Sequence, residues 1–121
     1  MTWILLVGAA GISCGPSKDQ PLMPEQSLQH VGQIKWVRGK VMQCGPCRPL
    51  SSGRVKACLD APCGEEHFAA IIEPHVFQQT GLTHEAFEGL IIRVHGTITT
   101  FQNRPEILVS DPSQLLIEPG P

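Results

Sequence analysis

The chain has 121 residues, room for one domain of ordinary size. Hydrophobic residues make up 41% and charged residues 17%, with mean hydropathy +0.01, which excludes a disordered chain and a multi-span membrane protein. Nine Lys+Arg against eleven Asp+Glu leave a net charge of −2, and there are no Tyr, 4 Phe and 2 Trp, so a surface basic all over and rich in stacking aromatics is excluded too. With 12 Gly and 11 Pro, a single long-helix architecture is not expected.

Residues 3–13 (WILLVGAAGIS) are apolar or small and carry no charge. At about 1.5 Å rise per residue they span about 16 Å, half of a bilayer core of about 30 Å. That fits the core of a signal peptide and falls short of a spanning helix. The stretch ends Ala10-Gly11-Ile12-Ser13-Cys14-Gly15, which resembles a bacterial lipobox. The resemblance implies that residues 1–13 are a cleaved signal peptide and that Cys14 is diacylated as the new first residue. It also implies a place in the bacterial cell envelope, lipid-anchored on a periplasmic or extracellular face, with the membrane as one partner. Residues 15–27 (GPSKDQPLMPEQS) hold three prolines and no apolar period, so residues 14–27 read as the lipidated cysteine and a flexible tether.

From residue 28 the apolar period is two rather than 3.6. Gln33 to Gln43 is long for one strand; its alternation changes phase at Trp36-Val37 and Gly39 follows, which predicts a bulge or sharp bend. Arg54–Asp60 and His67–Ile72 are two further short strands. Glu73–Glu88 breaks the pattern and holds a short helical stretch, Thr83–Phe87, with Thr83 suited to cap its start. Gly89–Thr100 is the clearest strand. It carries Leu90, Ile92, Val94 and Ile98 on one face and Ile91, Arg93, His95 and Thr97 on the other. Phe101–Arg104 makes a tight hairpin, Pro105–Ser110 returns, Asp111-Pro112-Ser113 stops it, and Leu115–Ile117 packs back. The expected class is all-β with small α content. The order is that of an OB-fold, a five-stranded Greek-key barrel with a short helix between strands three and four, over residues 28–117 with a tail at 118–121.

Three segments carry a resemblance to a bacterial OB-fold family. They are Val37-Arg38-Gly39-Lys40-Val41, then Phe87–Gly96, then Asn103-Arg104-Pro105-Glu106-Ile107-Leu108-Val109-Ser110-Asp111-Pro112-Ser113-Gln114-Leu115. Asn103 stands where that family usually has Gly, at a position needing positive φ. Members are commonly labelled nucleic-acid-binding, mostly by fold analogy, and fold alone does not settle function.

Cys44, Cys47, Cys58 and Cys63 have the spacing C-x2-C-x10-C-x4-C. Three readings stay open. An even count in an oxidising compartment suits two disulfides, with Cys44 roughly opposite Cys58 across the hairpin or with local pairs Cys44–Cys47 and Cys58–Cys63. Four thiolates would suit a structural zinc ion if strand two is broken. Cys44-Gly45-Pro46-Cys47 is also similar to a thioredoxin active-site turn, although Ser51-Ser52-Gly53 breaks any helix after it.

The five histidines form no i, i+4 pair around a carboxylate, and Asp60, Glu65, Glu66 and Glu73 read as solvated charges. No Ser-His-Asp spacing, phosphate loop or dinucleotide glycine run is present, so an enzyme is not the expected class. Lys35, Arg38, Lys40, Arg48, Arg54 and Lys56 fall in one stretch with no acid between them. On an OB-fold they read as a basic ligand-binding face for single-stranded nucleic acid or another polyanion, with Trp36 and Phe68 as stacking candidates. The alternatives are an envelope protein–protein interaction or structural lipoprotein, and a thiol-disulfide oxidoreductase using the Cys44–Cys47 turn.

Overall fold

A computed structural model describes residues 20–46 and 52–119. Cys14, Cys47 and Arg48 lie outside the described residues, as does the signal stretch. The chain is sheet-rich, with strands β1 (Ile34–Pro46), β2 (Val55–Leu59), β3 (Ala69–Ile72), β4 (Ile91–Thr97), β5 (Thr99–Phe101), β6 (Arg104–Val109) and β7 (Leu115–Ile117). Two short helices, α1 (Pro74–Gln79) and α2 (His84–Phe87), stand between β3 and β4. Thr83 caps α2, its Oγ1 accepting from the Ala86 amide at 3.0 Å. Pro24–His30 and Pro112–Gln114 are 3-10 helices. No described helix is long and apolar enough to cross a membrane.

The described strands form one sheet of seven rather than the expected five, in the order β5-β6-β3-β2-β1-β4-β7. β1 is long because its halves serve different neighbours: Ile34–Lys40 pairs with β4, and Val41–Pro46 pairs with β2. β3 and β6 run parallel, Ala69 opposite Glu106 and Ile72 opposite Val109. β5 and β6 form a hairpin through Gln102 and Asn103, whose φ angles are 53° and 66°. A two-residue turn with both central residues left-handed matches the twist of its strands. Asn103 thus takes the positive φ that the resemblance implies.

Sequence alternation and structure part company at three places. The stretch 89–100 is divided at Ile98, which is fully buried and gives separate β4 and β5. There the Ile98 amide donates to Gln33 O at 2.9 Å and Ile98 O accepts from Gly32 N at 2.7 Å, so the chain turns off β1 and on to β6. Second, the register slips between Val41 and Gln43 rather than at Trp36-Val37. Gly39 serves close packing instead: a Cβ there would meet Leu59 Cβ at 2.9 Å and Pro24 Cγ at 3.0 Å. Third, part of the expected tether is folded. Leu22 is buried and bridges Val37 in parallel, its amide donating to Trp36 O and its carbonyl accepting from Arg38 N, both at 2.9 Å. Ser27 is fully buried, and its hydroxyl donates to Pro24 O at 2.6 Å. One bridge and one packed turn need no apolar period, so periodicity does not reveal them.

The core takes the faces that alternation assigns. Ile92, Val94 and Ile98 are fully buried with Val37, Val41, Leu59, Phe68, Ile72, Ile107 and Val109. Each such side chain contributes about 1.5–3 kcal/mol on leaving water. Phe68 is therefore a core residue and not a stacking platform.

Candidate binding surface

Five of the six candidate cations are described, and the fold splits them into two groups. Lys35, Arg38 and Lys40 stand on the β4-paired half of β1, opposite Gly96, Arg93 and Ile91. Lys56 stands on β2 opposite Gly45, at the other end of β1, with Arg54 just before β2. Three of the five meet carboxylates distant in sequence. Arg38 Nε lies 2.6 Å from Glu118 Oε2 and Arg38 Nη2 lies 3.1 Å from Glu118 Oε1. Arg54 Nη2 is 3.1 Å from Glu73 Oε2, and Lys56 Nζ is 3.1 Å from Glu66 Oε2. The acid-free stretch is thus no continuous basic face. Glu118 belongs to the packed sheet and not to a loose tail, its amide donating to Ile91 O at 2.9 Å.

The outer face of β2, β3 and β6 holds a cleft of about 280 Å³ running to the β5–β6 turn. Lys56, Arg104, Glu66, Glu106 and Phe101 line it. Alternation builds this face: Val55, Ala57 and Leu59 belong to the core, so Lys56 and Cys58 point away from it. Phe101, opposite Arg104 in the hairpin, is 60% exposed at the edge of the cleft.

Glu66 organises the cleft and is not the solvated charge that its sequence context suggests. Its side chain is 1% exposed, and Oε1 accepts from Arg104 Nη1 at 2.7 Å and from the Gly64 amide at 2.6 Å. Burial pushes its carboxyl pKa up, but backbone hydrogen bonds and Lys56 outweigh that and hold it below the usual carboxylate range. In Glu106, which lines the same cleft, burial is the largest cause and the pKa is raised. Arg104 lies within the Asn103–Leu115 stretch that the sequence singles out. Nothing local in Gly64-Glu65-Glu66-His67 distinguishes Glu66 from Glu65.

The cysteines resolve in part. Cys58 and Cys63 form a disulfide with Cα atoms 5.3 Å apart, the local pair rather than a bridge across the hairpin. Cys44 stands opposite Ala57, and Gln43 stands opposite Cys58. Cys44 packs in the core while Cys58 faces away from it, so the two sulfurs lie on opposite sides of the sheet. The disulfide removes two of the four thiolates that the zinc reading needs. Among the described residues no group of three or more His, Cys, Asp or Glu is placed to hold a metal. Cys44 is a free, buried thiol whose pKa is pushed up to about 12 by burial and by the charges of Glu88 and Glu85. A thiol held protonated is a poor nucleophile, which opposes the oxidoreductase reading.

Trp36 is half-buried on the outer face and stacks on His95, ring centroids 4.7 Å apart. The His75 ring lies 3.0 Å from Ser110 O, a contact 35 positions away along the chain, and the His30 ring lies 3.0 Å from Gln33 Oε1, a local one. No family model matches the chain, and no curated protein is significantly similar to it.

Proposed function

We propose that the protein is a lipid-anchored OB-fold binding module whose ligand is single-stranded nucleic acid or another polyanion. The barrel reading is supported by the parallel β3–β6 pairing, by β1 serving both β2 and β4, and by the single residue separating β4 from β5. Joined through Ile98, β5 at one edge of the strand order and β4, next to β7 at the other, are consistent with a single fourth strand of such a barrel. The observation that carries the ligand class is Phe101 of β5 standing exposed beside Arg104 of β6 and Lys56 of β2 at the cleft. An aromatic face beside cations is how sequence-tolerant single-strand binders hold bases and phosphates. Pairing with Glu66 orients the two cations and limits the electrostatic attraction, so the contact with Phe101 should carry much of the affinity.

The test is fluorescence anisotropy with a labelled oligothymidylate at low salt and then across a salt series. Binding should weaken as salt rises, and F101A should weaken it by about 5- to 150-fold, the range of one lost stacking contact. No binding at low salt removes nucleic acid, and inorganic polyphosphate in the same assay tests other polyanions. A second reading, a partner protein in the envelope, is favoured by the groove lined by Ile34, Thr97, Thr99, Leu108 and Gln114, where Ile34 is 65% exposed. That reading predicts binding indifferent to salt and a partner recovered by crosslinking.

A further inference from the structure

Glu106 lines the cleft together with Phe101, Lys56 and Arg104, and alternation along β6 places it there. Pro105 and Ile107 are buried, so Arg104 and Glu106 share the outer face. In the β5–β6 ladder Phe101 stands opposite Arg104 and Thr99 opposite Glu106, which makes Phe101 the diagonal neighbour of Glu106 on that face. Diagonal positions lie about 7–8 Å apart, a span that one flat ring can bridge. On its other side Glu106 stands opposite Ala69 of β3, which also lines the cleft and adds only a methyl group there.

The other three charges of the cleft are matched to one another. Glu66 takes Arg104 at 2.7 Å and Lys56 at 3.1 Å. Among the described residues no hydrogen bond or ion pair reaches the Glu106 carboxylate. Burial raises its pKa, Glu66 adds to the rise, and the attraction of Lys56 does not cancel the two. Glu106 is thus a half-buried acceptor left open toward the cleft beside an exposed aromatic ring. The lining holds two cations and two carboxylates, a balance that a phosphate alone would not select.

We infer that Glu106 reads the base held on Phe101 by accepting from its exocyclic amino group, so that the cleft prefers cytosine to thymine. The inference rests on the reading of the cleft as a single-strand binding site. Cytosine carries its N4 amino donor where thymine carries the O4 carbonyl acceptor, so one carboxylate attracts the first and repels the second. The two pyrimidines offer Phe101 similar faces, and their oligomers carry the same phosphate charge, which leaves edge chemistry to separate them. A carboxylate in a cleft that holds a polyanion weakens general attraction and gains discrimination.

The experiment measures anisotropy of labelled oligocytidylate and oligothymidylate of equal length, at low salt and mildly alkaline pH, with wild type, E106A and E106Q. Wild type should bind oligocytidylate at least about 5-fold more tightly, the lower end for one base contact. E106A should bring that ratio close to unity. E106Q should do the same, because a glutamine amide accepts from cytosine and donates to thymine alike. Loss of a negative charge should strengthen binding of both oligomers, and that effect cancels in the ratio. The two variants guard against one that folds poorly. Equal affinities in wild type, or a ratio undiminished in both variants, overturns the inference and leaves the single-strand reading standing. Binding of neither oligomer to wild type overturns both.

Discussion

Glu66 and Glu118 are the two carboxylates on which the charged surface is organised, and both titrate below their ordinary range. In Glu118 the hydrogen bonds from Arg38 and Arg93 lower the pKa to about 2. A depressed folded pKa means that the unfolded chain takes up protons first. The stabilisation is therefore whole above the ordinary carboxylate value and is lost as pH falls through the folded one. Unfolding midpoints in urea should hold through neutral pH and then fall between about pH 4.5 and 2, with a shallower slope in E118Q. A midpoint equally steep in the two proteins would show that the Glu118 contacts contribute nothing. At Glu66, E66Q removes the charge that Arg104 and Lys56 share while keeping a side chain of the same shape. The expected loss is about 1–3 kcal/mol by urea unfolding, the range for disturbing a buried hydrogen-bonded group. Cys44 makes the opposite case, a buried thiol with its pKa near 12. Native protein treated with iodoacetamide at mildly alkaline pH and mapped by peptide mass should carry little label at Cys44, and denaturation should expose it.

Among the elements, β1 does the most work because it pairs with β4 along one half and β2 along the other. Its glycine is where strand and neighbours come closest. G39A would drive a methyl group toward Leu59 Cβ at 2.9 Å, and a backbone-attached atom of a packed strand gives way poorly. The expected destabilisation is about 1–3 kcal/mol, as for other overpacked sites, read as a lower urea midpoint at unchanged slope. Gly96 answers it on β4, where a Cβ would lie 2.8 Å from Ile107 Cγ2. The V-x-G-x-V and V-x-G segments are thus legible in sequence as glycines interrupting strands, but a sequence shows only that a side chain is missing. What comes close to the vacancy, a leucine from β2 or an isoleucine from β6, depends on pairing far along the chain.

For the molecule as a whole, the anchor reading sets the compartment, and the Cys58–Cys63 disulfide suits an oxidising one. Cys14 lies outside the described residues and eight positions before Leu22, which among the described residues bridges β1 at Val37. C14A should therefore leave the circular dichroism spectrum and unfolding midpoint unchanged, and in a bacterial host it should move the protein out of the membrane fraction or block its processing. A wild-type protein that is soluble in that host and retains Met1 removes the anchor.

The approximate position of the strands and the buried faces of β4 and β6 were legible from residue order, because a period of two is a local property: Ile92, Val94, Ile107 and Val109 are all fully buried as alternation requires. The Thr83 cap was legible for the same reason, since it depends on neighbours within a few residues, whereas the positive φ at Asn103 was implied by the family resemblance. The charge of the surface was not. A stretch of cations without an acid looks basic along the chain, yet folding brings Glu66 to Lys56, Glu73 to Arg54 and Glu118 to Arg38. Coulomb attraction falls with distance through space and takes no account of separation along the backbone. Ion pairing, and with it the location of any anion-binding site, was therefore decided by tertiary structure alone.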